Sequence, residues 1–177
     1  PMDKTYADTV RLLLAVAPDV FANDIFAMKG GTAINLFVQD MPRLSVDIDV
    51  VYHPWQTPRD EALQAINQEL AAIATRVASL GLQTRLVGAG DLGGTKLIVE
   101  NDVSQVKIEV NVVFRGSVLP IERRSLSART SDLFGVEFEL PVLAPDELYA
   151  SKMVAALDRQ HPRDLFDVMQ LYGNEGI

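Results

Sequence analysis

The stretch Met28-Lys29-Gly30-Gly31-Thr32-Ala33-Ile34-Asn35-Leu36, followed shortly by Pro42-Arg43-Leu44-Ser45-Val46-Asp47-Ile48-Asp49, decides the fold. Ile25 to Met28 is a short apolar run that reads as a strand, Gly30-Gly31 as a turn, and Ala33 to Phe37 as a helix that Pro42 closes. From Leu44 to Tyr52 the period falls to two, with Leu44, Val46, Ile48 and Val50 on one side and Ser45, Asp47 and Asp49 on the other. The order is therefore strand, glycine turn, short helix, then a strand carrying two acids on one face.

Aspartates two apart on a strand project from the same face about 6 to 7 Å apart, near enough to hold one hard cation or a pair of them. Ser104 to Phe114 supplies a third acid: Val106, Ile108, Val110 and Val112 alternate with Lys107, Glu109 and Asn111, so Glu109 falls on the polar face. A one-residue slip would turn Glu109 into the core, where an unpaired carboxylate is costly. Asp47, Asp49 and Glu109 together form an all-oxygen set of the kind Mg²⁺ prefers, with Mn²⁺ an admissible substitute. Two such ions suit in-line nucleotidyl transfer, in which an NTP must also be gripped. Gly30 and Gly31 let backbone amides at a helix start approach phosphate, Thr32 adds a hydroxyl, and Lys29, Arg43 and Ser45 lie beside them. A D-x-D on a strand is by itself more often a solvated pair, and a Gly-Gly before a helix more often a plain tight turn, so their order carries the reading.

The remaining segments read as scaffold. Thr5 to Ala17 is an amphipathic helix stopped by Pro18. Thr57 caps a long helix with Pro58 at its first position and Gly81 at its end. Leu82 to Val87, Thr95 to Glu100 and Ser104 to Phe114 are strands joined by hairpins, Gly88, Gly90, Gly93 and Gly94 marking one turn. Val136 to Leu140 is β-like, a helix starts at Pro145, and a last one spans about Arg163 to Tyr172. The fold class is α+β, one domain over residues 1–177 with a mixed or antiparallel sheet flanked by helices.

Composition narrows the chemistry. The chain has no cysteine, which removes disulfides, thiol catalysis and Cys-ligated zinc, and its two histidines, His53 and His161, read as surface or turn residues. Trp55 reads as core or loop packing. A net charge of −8 argues against broad binding to a phosphate backbone, which leaves Arg115, Arg123, Arg124 and Arg129 as the one candidate basic patch. No apolar run approaches a membrane span and the N-terminus lacks a secretion signal's apolar core, so a cytoplasmic location is expected, with no membrane partner.

The two quoted motifs resemble the signature of the AbiEii-like (type IV toxin) nucleotidyltransferases, a branch of the DNA polymerase β-like superfamily, over about Phe26 to Tyr172. In that family an acid on a later strand completes the metal site, and a Lys and a D-x-x-D-like element follow on helices. Those positions fall on Glu109 in Lys107-Ile108-Glu109-Val110-Asn111, on Lys152, and on Asp164 and Asp167 in Arg163-Asp164-Leu165-Phe166-Asp167. The resemblance implies that Lys152 contacts the nucleotide phosphates and that Asp164 or Asp167 supports the site or activates the acceptor. It further implies Mg²⁺-dependent transfer of an NMP group from an NTP to an acceptor such as a tRNA 3′ end, by a toxin beside a cognate antitoxin. Family members usually carry more helices after the last motif, so the chain reads as a shortened or minimal member. Two other readings exist: an inactive nucleotide-binding or interaction module of the same fold, and a glycosyltransferase, which also uses D-x-D but needs a longer chain. Nucleotide base and oligomeric state are left open.

Overall fold

The computed structural model describes residues 4–43, 45–88, 95–113 and 115–175. Helix α1 spans Lys4–Val20, β1 Phe26–Lys29, α2 Gly30–Ala33 with a π-helical continuation Ile34–Val38, β2 Ile48–Tyr52 and α3 Arg59–Ser79. Then follow β3 Gln83–Val87, β4 Lys96–Glu100, β5 Gln105–Asn111, β6 Glu122–Ser125, α4 Ala128–Phe134, β7 Glu139–Val142, α5 Pro145–Arg159 and α6 Pro162–Glu175. Among the described residues the strands form one sheet in the order β3-β4-β5-β2-β1-β7-β6. It is mixed: β2 runs parallel to β5 and β1 to β7, while the other neighbours are antiparallel.

The period-two strands bury one side each. Val106, Ile108 and Val110 of β5, Leu97 and Val99 of β4, and Ile48 and Val50 of β2 are fully or almost fully buried. Helix α3 lays Ala62, Ile66, Leu70, Ile73 and Val77, spaced by three and four, into the same core. Cutting any of the larger ones to Ala leaves a cavity costing about 2–5 kcal/mol. One acid lies in this ridge: Glu69 is buried and held by Arg76 and Asn23, and Arg76 also donates to the carbonyl of Asp19 at 2.9 Å, which ties the end of α1 to α3. No helix among the described residues is long and apolar enough to cross a membrane.

Several boundaries differ from expectation, each for a local reason. α1 continues through Pro18 to Val20, because the last turn buries Val20 and Phe21 and Phe21 still donates to Ala17 at 3.2 Å. Thr57 does not cap α3; its hydroxyl accepts from Tyr52 Oη at 3.2 Å, and Pro58 holds the cap position without a side-chain bond. The strand expected over Leu44 to Tyr52 begins only at Ile48, while Leu44 and the glycines at 90, 93 and 94 lie outside the described residues. The β-like stretch falls at Glu139–Val142, not Val136 to Leu140, and β6 and α4 were not legible. Trp55 is 69% exposed, so it is not core.

Candidate active site

β2 is the centre of the site, and the register around it answers the question left by the β5 pattern. Asp49 pairs with Glu109 across the parallel β2–β5 ladder and with Lys29 across the antiparallel β1–β2 ladder. Glu109 in turn pairs with Lys96 of β4. Directly paired residues share a face, so four neighbouring strands present the row Lys29, Asp49, Glu109, Lys96 to one side. Two residues before Glu109, Lys107 stands on the same face with its Nζ 3.2 Å from Glu109 Oε2 and 3.7 Å from Asp47 Oδ2. Lys96 Nζ lies 3.4 Å from the other Glu109 oxygen.

The charges are unevenly balanced. Burial, then the nearby charges of Asp47 and Glu109, push the Asp49 carboxyl up to about 6, despite the opposing fields of Lys29 and Lys107. Lys29 is pushed below its ordinary value, chiefly by burial and also by Lys152, with Asp49 and Glu147 resisting. Partial burial works against the Lys107 ammonium, but its hydrogen bond to Glu109 and the fields of Asp47, Glu109 and Asp49 outweigh this and raise its pKa.

Asp49 and Glu109 face a cleft of about 330 Å³ between the sheet and α5, lined also by Lys29, Gly30, Ser151 and Lys152 among others. Among the described residues no three acids stand, as placed, close enough to enclose an ion. Lys107 lies between two of them. The donor set nevertheless fits a hard divalent cation, since it offers three carboxylates and oxygen donors only.

The two glycines serve two different neighbours. Gly30 has φ +76°, and a Cβ there would overlap Asp49 Oδ2 and stand 3.0 Å from Asp49 Cβ. A Cβ at Gly31 would overlap the Arg43 guanidinium and stand 3.0 Å from Ser45 Oγ. Gly30→Ala is expected to cost about 1–2 kcal/mol for the left-handed backbone and to displace Asp49. A shift of that kind lowers turnover by roughly 100-fold, as a nucleotide-turnover assay beside a urea titration would register. Wild-type turnover in this variant would show that Asp49 need not sit where Gly30 lets it.

Behind the cleft the remaining candidates form one buried network. Asp167, 1% exposed, accepts from Nε and Nη2 of Arg43 at 2.6 Å each, and its Oδ2 lies 3.2 Å from Lys152 Nζ. Lys152 also donates to Asp164 Oδ1 at 2.9 Å. The i, i+3 spacing on α6 puts both acids on the side facing α5. Thr32 is fully buried, its hydroxyl donating to the carbonyl of Asp47 and 3.0 Å from Ser45 Oγ. Asn35 was missed: buried at the start of the π-turn, it donates to the Gly31 carbonyl at 2.7 Å and accepts from the Arg43 amide at 3.1 Å. The π-turn also leaves the Leu36 carbonyl to accept from Ser127 at 2.8 Å. The only sequence signal for Asn35 was a polar residue on an apolar helix face.

The structure thus brings Asp49, Glu109, Lys29, Gly30 and Lys152 to the cleft, links Asp47 to Glu109 through Lys107, and sets Gly31, Thr32, Arg43, Ser45, Asp164 and Asp167 beside them. The four arginines of the candidate patch are engaged elsewhere: Arg123 lies near Glu139 and Arg124 pairs with Glu122, while Arg115 and Arg129 donate to the carbonyls of Thr57 and Asp40. His161 accepts from the Arg163 amide at the start of α6, and His53 Nε2 lies 3.6 Å from Asp24.

A mixed sheet that carries glycines at a helix start, a D-x-D and a register-paired third acid at its centre is the arrangement that the sequence motifs led one to expect of a nucleotidyltransferase fold. The chain belongs to the family described as "Nucleotidyl transferase AbiEii toxin, Type IV TA system", which matches residues 11–177. Among solved structures it is similar to MenT4, a nucleotidyltransferase toxin from Mycobacterium tuberculosis H37Rv, with 19% identity, TM-score 0.66, and 97% of this chain and 61% of that chain covered. It is also similar to the antibiotic-resistance factor ANT(2'')-Ia, with 15% identity, TM-score 0.54, and 99% and 86% covered. At such identities the likeness is one of fold, and the chain spans 61% of the mycobacterial toxin's length. No curated protein sequence matches it.

Proposed function

We propose that the chain is a single nucleotidyltransferase unit that moves an NMP group from an NTP to an acceptor, with Asp47, Asp49 and Glu109 as the ligands of Mg²⁺. The observation that carries this reading is the pairing of Asp49 with Glu109 across β2 and β5, at the wall of a cleft that Lys29 and Lys152 also line. A divalent ion bound to these acids would supply charge neutralisation for the phosphates and a more acidic acceptor hydroxyl.

The chain's own residues do the rest. Gly30 keeps the backbone clear of Asp49, so the carboxylate and the nucleotide share the cleft. Lys152, aligned by Asp164 and Asp167, and the half-desolvated Lys29 present positive charge to the phosphates. The acceptor hydroxyl gives up its proton to solvent as its oxygen attacks the α-phosphorus, the bond to the bridging oxygen breaks, and pyrophosphate leaves with that oxygen. Asp164 and Asp167 take the supporting role and not the acceptor-activating one, because both are buried and their oxygens already accept from Lys152 and Arg43.

The resemblance of the sequence motifs makes a tRNA 3′ end the acceptor to test first, and the type IV toxin-antitoxin description of the family supports a cognate antitoxin as the partner. The rival reading is an inactive module of this fold. Isothermal titration of each NTP, with Mg²⁺ and with EDTA, distinguishes them when followed by a pyrophosphate-release assay. Metal-dependent binding that Asp49→Ala weakens by about 100-fold or more, together with pyrophosphate release in the presence of acceptor, is the expected outcome. Binding without release favours the inactive nucleotide-binding module, and no binding of any NTP overturns the transfer reading and favours the interaction module.

A further inference from the structure

We infer that Lys107 is an exchangeable counter-ion: it neutralises Asp47 and Glu109 while no divalent ion is bound to them, and moves to the triphosphate when one is. The inference rests on the metal and nucleotide reading above and assigns this side chain a task within it.

The Nζ of Lys107 spans two of the three candidate ligands, 3.7 Å from Asp47 Oδ2 and 3.2 Å from Glu109 Oε2. An ion bound by those carboxylates competes with the ammonium for the same oxygen lone pairs, since an ammonium is a donor only. The other lysines of the site stand differently. Lys96 touches Glu109 alone, at 3.4 Å. Lys152 is 10% exposed and anchored by Asp164 and Asp167, which are not candidate ligands. Among the described residues, Lys107 is the lysine that bridges two of the acids.

Lys107 is also able to leave. Its side chain is 35% exposed and sits on a flexible four-carbon stem, so a swing away from the acids strands no charge in the core. Once a divalent ion has taken over the acids, Lys107 and Lys96 become surplus positive charge beside Glu109, a residue of the cleft wall, and a polyphosphate is the anion that matches them. Metal and nucleotide binding are then positively coupled, each strengthening the other by the same factor, on the order of 5–150-fold for couplings of this type.

The exchange has a signature of opposite signs. Lys107→Met keeps most of the stem and removes the competitor. It is expected to bind Mn²⁺ at least about 5-fold tighter without nucleotide, followed by the electron paramagnetic resonance of free Mn²⁺. At saturating Mn²⁺ it is expected to bind NTP about 10-fold weaker, while Lys107→Arg restores nucleotide affinity. Lys96→Met serves as the control for loss of a nearby charge and should change Mn²⁺ affinity less. Circular dichroism verifies folding, and Lys107→Gln replaces the Met variant if that one does not fold. Unchanged or weaker Mn²⁺ binding, unchanged nucleotide binding, or an equal effect of Lys96→Met overturns the exchange while leaving the metal site standing. A wild-type chain that binds no Mn²⁺ overturns the metal reading itself, and the exchange with it.

Discussion

Asp49→Asn is expected to abolish nucleotidyl transfer and yet raise the unfolding temperature of the metal-free protein. Asp49 is pushed up to about 6 by burial and by the neighbouring Asp47 and Glu109 charges, from an ordinary value of 3.8. A carboxyl with a raised folded-state pKa contributes stability that is fully present below about pH 4 and is lost as the pH rises through about 6. At neutral pH the ionised group therefore costs the fold up to about 3 kcal/mol, at 1.36 kcal/mol per pH unit. Asn keeps the shape and removes the charge. For a chain of this size that corresponds to a rise of at most roughly 6–12 °C in Tm, visible by calorimetry in EDTA at pH 7 and much reduced at pH 4. Saturating Mg²⁺ should stabilise the wild type and not the variant. Transfer should fall by about 10³-fold or more, since a metal-held charge is worth several kcal/mol in the transition state. A variant that is less stable in EDTA at pH 7 would show that Asp49 is a structural acid, and one that retains transfer would remove it from the chemistry.

Asp167→Ala carries the opposite sign. Its carboxylate, 1% exposed, accepts twice from Arg43 and faces Lys152, both of which are largely buried. Removing it leaves two cations without their shared partner, and breaking a buried pair in this way costs about 3–5 kcal/mol. The urea midpoint should drop by roughly 1–3 M with little change in slope. Asp167→Asn, which retains hydrogen-bonding atoms but not the charge, should fall between the two. Transfer should fail in both variants even where the chain is folded, because Lys152 loses one of the two acids that aim it. A wild-type midpoint in Asp167→Ala would mean that Arg43 and Lys152 find water, and that the buried network is dispensable to the fold.

The contrast between these two acids separates what could be read from the chain from what could not. Asp49 and Glu109 were legible as same-face acids because a strand's period of two assigns side chains to faces without knowledge of neighbours, whereas Asp47 falls one residue before β2 begins. The β2 and β5 patterns each had a polar side, and the ladder between them joined those sides. Lys152, Asp164 and Asp167 were visible only through resemblance to a family, and their separation in sequence concealed that they form one ion-paired layer. Gly30 and Gly31 were read as an anion cradle, whereas each also makes room for a particular side chain, Asp49 in one case and Arg43 in the other.

Local misreadings share a cause. Pro18 did not stop α1 because burial of Val20 and Phe21 outweighs one lost hydrogen bond, and Thr57 did not cap α3 because Tyr52 holds its hydroxyl. β6 reads Glu122-Arg123-Arg124-Ser125, with no apolar alternation, and becomes a strand only because β7 offers it a ladder.

By itself, then, the order of residues determined the elements around the paired glycines, the face on which Asp49 and Glu109 lie and the absence of thiols, since these follow from backbone period and side-chain type over a few neighbouring positions. Only the tertiary structure decided that Glu109 stands beside Asp49 and not one residue away, that Asp167 clamps Arg43 from 124 positions along the chain, and that Lys107 lies between two acids. Those are pairings between distant segments, set by the register of the ladders and the packing of α6 on α5, and no local rule of periodicity or propensity contains them.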